Sequence, residues 1–245
     1  MQPIYQQEFH INDAAVDCFG RLKPSMILYF VQEVAGKHFN RISMDYDALE
    51  KLGMIWAIIR QRVQITRLPR RGEKLRVETW PMPTTRVAYP RSVVAYDEQG
   101  NECFRAITLW VLMDLNKRSM ILPGKSGIEV AGTLRGNELA APLGLPAKTL
   151  NNRSSRCVRF TDLDRNGHMN NTRYFEWIYD LLPSAFHGSH RVKEFTVCYF
   201  SESREGDELT LCWDLPVADR MQVDIHREKD GKDQRVFSAR IQYDM

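Results

Sequence analysis

Two stretches near the end of the chain alternate strictly between apolar and polar residues. Leu209, Leu211, Trp213 and Leu215 are separated by Thr210, Cys212 and Asp214, and Met221, Val223 and Ile225 by Gln222 and Asp224. A period of two predicts strands with one buried face. Phe104 to Leu115 is nearly continuous in apolar residues, as expected of a strand covered on both faces. Elsewhere the period lengthens. Tyr174, Trp177, Ile178 and Leu181 follow helical spacing and Pro183 stops the run, while Pro24 suits the first turn of a second long helix, where its missing N–H costs least.

These elements recur in the same order. Each half opens with a glycine-containing loop running into a helix, Asp17 to Phe30 and Asp164 to Trp177. Each then has a strand marked by Gly-x-x-Leu and a tryptophan: Gly72, Leu75 and Trp80 against Gly206, Leu209 and Trp213. Each closes on a hairpin turn, at Asp97 to Asn101 and at Lys229 to Lys232. The chain reads as a duplication. Strand, loop, helix and four strands per half predict an α+β protein of tandem (double) hotdog architecture, with curved antiparallel sheets each wrapped around a long helix. The expected boundaries are an N-terminal hotdog over 1–123, a linker over 124–150 and a C-terminal hotdog over 151–245. The linker stretch is rich in Gly and Pro and lacks sustained periodicity, so it is expected to run over the surface.

Composition narrows the class. With 43% hydrophobic and 27% charged residues in 245, the chain can build a real core. No apolar run is long enough for a transmembrane helix and the N-terminus lacks a secretory pattern. The five scattered cysteines contain no C-x-x-C pair. The expectation is a reduced, cytoplasmic chain without a zinc site. A net charge of +3 does not call for nucleic acid. Arg60, Arg62, Arg67, Arg70, Arg71, Lys74 and Arg76 do crowd one stretch. They read first as a solvated strand edge and alternatively as a docking face for an acidic partner. Gly124-Lys125-Ser126 is not a phosphate loop, because Ser119 stands where that motif needs its first glycine.

The chemistry concentrates in Phe160 to Trp177. A calcium loop fails there, since the position that should hold a bidentate Glu is Arg173. A purely structural reading makes the Asp and Asn residues turn and cap formers, with Asn170 or Asn171 capping the helix. A catalytic reading notes that Asp164, Asn166 and His168 are spaced two apart, so an extended loop can turn them to one side. A carboxylate, an amide and an imidazole together can hold and deprotonate water. The downstream helix start would offer N–H groups to an oxyanion.

Residues 160–177 resemble the signature of plant and bacterial acyl-ACP thioesterases, roughly D-L-D-x-N-x-H-x-N-N-x-x-Y-x-x-W. Trp56 to Trp80, Ala106 to Leu115 and Tyr199 to Leu209 extend the resemblance over most of the chain. It implies hydrolysis of a fatty acyl thioester on acyl carrier protein (ACP). It places the family's catalytic Asp, Asn, His and Glu on Asp164, Asn166, His168 and Glu202. Ser203 follows that glutamate where many plant members carry a cysteine once proposed as nucleophile, so carboxylate-activated water is the expected route. Cys198 reads as a small core residue. In the first half, Asp17 matches Asp164, but Phe19, Arg21 and Leu68 stand for Asn166, His168 and Glu202. A single active site in the second half follows. The family's N-terminal half binds the acyl chain, which makes Met26, Phe30 and Trp56 candidates beside their ordinary role in a core. No cofactor or metal is implied, and the expected assembly is a monomer or a homodimer. The rival functions are an acyl-CoA or aryl-CoA thioesterase of the same fold and a non-hydrolytic acyl-binding or dehydratase-like hotdog.

Overall fold

The computed structural model describes residues 4–41, 44, 46–216 and 219–244. The chain divides into two units, Met1–Pro142 and Leu143–Met245. The first contains β1 (Tyr5–His10), α1 (Pro24–Arg41), α2 (Tyr46–Lys51), β2 (Met54–Ile65), β3 (Lys74–Pro81), β4 (Tyr89–Tyr96), β5 (Glu102–Asp114), β6 (Met120–Ile121) and α3 (Pro123–Ser126). The second contains β7 (Asn152–Cys157), α4 (Asn171–Tyr179), α5 (Ser184–Ser189), β8 (Arg191–Tyr199), β9 (Glu208–Trp213), β10 (Arg220–Lys229) and β11 (Lys232–Asp244).

Strands run β1-β3-β4-β5-β2 in the first unit, with β6 added against β5, and β7-β9-β10-β11-β8 in the second. All these pairings are antiparallel, and the two orders are the same once the strands are matched in sequence. This is the double hotdog.

In the first unit α1 presents Ile27, Leu28, Val31, Val34 and Ala35, all without exposure, and Phe30 packs on Phe9 of β1 at 4.4 Å between ring centroids. Burial of an apolar side chain of this size is worth about 1.5–3 kcal/mol. Pro24 is the first residue of the helix, as its geometry favours. In the second unit Phe175 of α4 meets Phe195 at 4.5 Å and Tyr174 stacks on Phe237 at 4.8 Å. Here α4 ends at Tyr179, before Leu181 of the predicted run, and Pro183 stands at the start of the separate α5.

Two local expectations meet a different outcome. β9 ends at Trp213, and Leu215 beyond it is 66% exposed. β10 is covered on both faces: Gln222 and Asp224 are buried along with Met221, Val223 and Ile225. The cause is the segment before β7. Leu145 and Leu150 are buried, the Gln222 amide donates to the Pro146 carbonyl at 2.9 Å, and the Lys148 N–H donates to Asp224 at 3.4 Å. The Gly- and Pro-rich connection is therefore bound to the units it joins. In the first unit Arg135 lies over the Trp80 ring at 4.8 Å and pairs with Glu78 at 2.8 Å, while Thr133 N–H donates to Pro81.

Candidate active site

The loop before α4 is shaped by Asp164. Its Oδ1 accepts the backbone N–H groups of Asn166 at 2.8 Å and His168 at 3.3 Å. The backbone closes the same turn, Asp164 N–H to His168 O at 2.8 Å and Gly167 N–H to Asp164 O at 3.0 Å. Gly167 sits at φ 72°, a conformation that costs a residue with a Cβ but not glycine. The first unit repeats the scheme bond for bond. Asp17 Oδ1 accepts from Phe19 at 2.9 Å and Arg21 at 3.0 Å, and Gly20 stands at φ 71°. Asp164 thus has a loop-holding role that does not depend on chemistry, since Asp17 fills it where the rest of the polar set is missing.

A second set of backbone bonds carries this loop to the segment between β8 and β9 that contains Glu202. Met169 N–H donates to Ser203 O at 2.8 Å, and Gly206 N–H to Val158 O at 3.0 Å. As a result His168 Nε2 lies 3.2 Å from Glu202 Oε2. That approach is outside hydrogen-bonding geometry, and Nε2 is itself shielded from solvent. The imidazole is mostly covered while the Glu202 carboxylate is half open, so water or substrate can reach the carboxylate side. Asn166 is exposed. In the first unit Leu22 N–H makes the matching bond to Pro69 O at 2.8 Å. There Arg21 turns back to pair with Asp17 at 3.0 Å and Leu68 replaces the glutamate.

Arg227 of β10 is a residue the sequence reading did not single out. Its guanidinium donates to the Glu202 carbonyl at 3.0 Å, to Asp207 at 2.5 Å and to Gln234 at 2.8 Å. It fixes the segment that bears Glu202. Its only sequence signal was a cation in a strand, which is indistinguishable from a solvated edge charge. Ser203 is fully buried, and its hydroxyl lies beside that of Tyr174 without a well-formed hydrogen bond. Burial pushes the Tyr174 phenol up to about 12, opposed by the Ser203 hydroxyl.

The helix start differs from expectation. Asn170 caps α4, its Oδ1 accepting from Thr172 N–H and the Thr172 hydroxyl, both at 2.9 Å. Its carbonyl accepts from Arg173 N–H. Those two amides are taken by the cap and are not available to an oxyanion. The structural reading of Asn170 was the right one.

Two of the acyl-chain candidates pack against other aromatic rings, Phe30 buried and Trp56 partly exposed. Phe30 lies against Phe9, and Trp56 stacks on Phe39 at 4.8 Å, meets Tyr89 edge-on at 5.0 Å and donates its indole N–H to Met44 O. Met26 is partly exposed. The basic stretch is largely neutralised. Arg67 pairs with Glu73 and Asp97, Arg71 with Asp13, Lys74 with Glu98 and Arg76 with Glu78. At least four of its seven cations therefore face carboxylates, which weakens its case as a cationic docking face.

The sequence profile of the acyl-ACP thioesterase N-terminal domain matches residues 2–122, and that of the acyl-ACP thioesterase C-terminal domain matches residues 147–245. The chain belongs to the acyl-ACP thioesterase family. It is 24% identical over 231 residues to oleoyl-acyl carrier protein thioesterase 1 of Arabidopsis thaliana, covering 83% of this chain and 61% of that protein. It is 25% identical over 194 residues to the dodecanoyl-[acyl-carrier-protein] hydrolase of Cinnamomum camphora, covering 72% and 50%. The chain thus spans about three fifths or less of these chloroplastic relatives. Among solved structures, an acyl-ACP thioesterase from Bacteroides thetaiotaomicron superposes with a TM-score of 0.86 at 24% identity over 99% of this chain and 98% of that one. The 12:0-ACP thioesterase from Umbellularia californica gives 0.83 at 20% identity, over 100% and 98%. For this member of the acyl-ACP thioesterase family no helix among the described residues is long and apolar enough to cross a membrane.

Proposed function

We propose that the chain hydrolyses the thioester of fatty acyl-ACP and releases free fatty acid, with Glu202 and His168 handling the attacking water. The observation that carries this reading is the 3.2 Å approach of His168 to Glu202, built by bonds that the first unit repeats without the reactive side chains. Glu202 is open enough to hold water, and a carboxylate beside an imidazole can take its proton as oxygen attacks the carbonyl. The carbon–sulfur bond then breaks and the thiol leaves with a proton returned through His168. Asn166, exposed on the loop, is assigned to the substrate or the water, and Asp164 to holding the loop. Direct attack by Glu202 would instead give an acyl-enzyme anhydride. Single turnover in heavy-oxygen water separates the two routes, since label in a side-chain carboxylate reports direct attack.

ACP is proposed as the carrier because the fused domain pair matches that family over both units. The test compares one acyl group presented on ACP and on coenzyme A, scored for released acid. A clear preference for ACP supports the reading, and a preference for the CoA thioester moves the chain to the rival substrate class. Neither free acid nor free thiol from any thioester would leave a non-hydrolytic acyl-binding protein.

A further inference from the structure

Arg91, the third residue of β4, is 1% exposed and lies inside the first unit. Its Nη1 is 2.9 Å from His38 Nδ1 and donates to Thr79 Oγ1 at 3.3 Å. The guanidinium carbon stands 4.4 Å over the Phe39 ring. Its Nε and Nη2 have no hydrogen-bond partner, and no carboxylate among the described residues pairs with it. The two buried acids among the described residues of this unit are already engaged, Glu78 by Arg76 and Arg135, and Asp97 by Arg67. Burial alone pushes the Arg91 pKa down to about 9, so the group is still a cation at neutral pH.

The unused donors are not a random pair. Nε–H and the adjacent Nη2–H point in parallel from one edge of the planar guanidinium, the edge that receives both oxygens of a carboxylate. Leaving a buried cation and two of its donors without an acceptor is among the costlier arrangements in a protein interior, and a bound anion removes the cost. Aromatic rings lie close by: Phe39 beneath the guanidinium, and Tyr5 stacked at 6.0 Å on His38. A small hydrated anion would lose its water there for one pair of bonds, whereas a carboxylate borne on an aliphatic chain gains burial as well.

We propose that the interior of the first unit is a binding site for an aliphatic carboxylate, clamped by the Nε/Nη2 edge of Arg91. Two ligands share this chemistry: a free fatty acid entering head first, and an acyl group that carries a second acid at its far end. The site is independent of the hydrolytic reading, because binding is measured without turnover. The experiment titrates the full chain calorimetrically with dodecanoate, dodecanol and the monomethyl ester of dodecanedioate. The wild type is expected to bind dodecanoate about tenfold or more tightly than dodecanol. Tighter binding of the monoester than of dodecanoate identifies the second source. Arg91→Met, which removes the donors, and Arg91→Lys, which keeps the charge without the fork, are each expected to bring the acid-to-alcohol ratio near one while leaving dodecanol affinity in place. If Arg91→Met fails to fold, the wild-type ratio and Arg91→Lys decide. Equal binding of acid and alcohol, no binding of either acid, or a ratio that survives the lysine substitution would overturn the proposal.

Discussion

The backbone N–H of Met169 reaches the carbonyl oxygen of Ser203 at 2.8 Å, and this bond sets His168, one residue earlier, against Glu202, one residue earlier on the other side. The first unit makes the matching bond from Leu22 to Pro69 at the same length and has Arg21 and Leu68 in the neighbouring places. The scaffold that positions the pair is therefore separable from the side chains it positions. That separation can be tested one residue at a time.

Asp164 is expected to act through the loop. An amide oxygen can accept the same N–H groups as Oδ1, so Asp164→Asn should keep the turn and retain activity within about tenfold of wild type, one factor of ten being about 1.4 kcal/mol. Asp164→Ala removes both hydrogen bonds and should cost substantially more. Steady-state release of fatty acid measures both variants. A collapse of Asp164→Asn to the level of the alanine variant would assign the carboxylate itself to the chemistry.

Arg227 holds the carbonyl of Glu202 from behind, as a positioning residue. Arg227→Met should lower kcat by about tenfold with little change in KM, and should destabilise the fold by roughly 1–3 kcal/mol through the unpaired Asp207 it leaves. Arg227→Lys should restore part of the rate. An equal loss in KM alone would point to substrate binding instead.

Tyr174 gives a pH signature. Its phenol titrates near 12 in the folded chain and at its ordinary value of about 10 when unfolded. Below pH 10 both states are protonated and its contribution is fully present. As pH rises toward 12 the unfolded state loses its proton first, so stability falls, by about 2–3 kcal/mol from this residue. Tyr174→Phe should flatten that alkaline decline in a denaturant series between pH 9 and pH 11.5. Parallel curves for the two proteins would contradict it.

Much of the architecture was legible because the chain states it twice: a pattern that is weak in one half is checked by its partner. The site loop was equally legible, since Asp164, Gly167 and His168 lie close in sequence and make local bonds. What escaped depends on distant segments. Whether Gln222 and Asp224 face water is decided by Pro146 and Lys148, 76 positions away, and periodicity carries no record of them. The pairing of Arg67 with Asp97, Arg71 with Asp13 and Lys74 with Glu98 is likewise invisible in a count of cations. Arg91 follows a proline at the start of an ordinary-looking strand, and nothing in that context marks it as buried. Glu202 came from resemblance alone, because a glutamate before a glycine turn has no signature of its own.

The most direct measurement is a double-mutant cycle on His168 and Glu202, read as the rate of free fatty acid release from acyl-ACP under saturating conditions. Glu202→Gln and His168→Ala should each lower the rate by about 10²–10⁴-fold without changing the circular dichroism, and the double variant should be little slower than the worse single one, as for groups acting on one water. Independent, multiplicative losses, or near-normal rates in Glu202→Gln, would contradict a shared catalytic role for the two side chains.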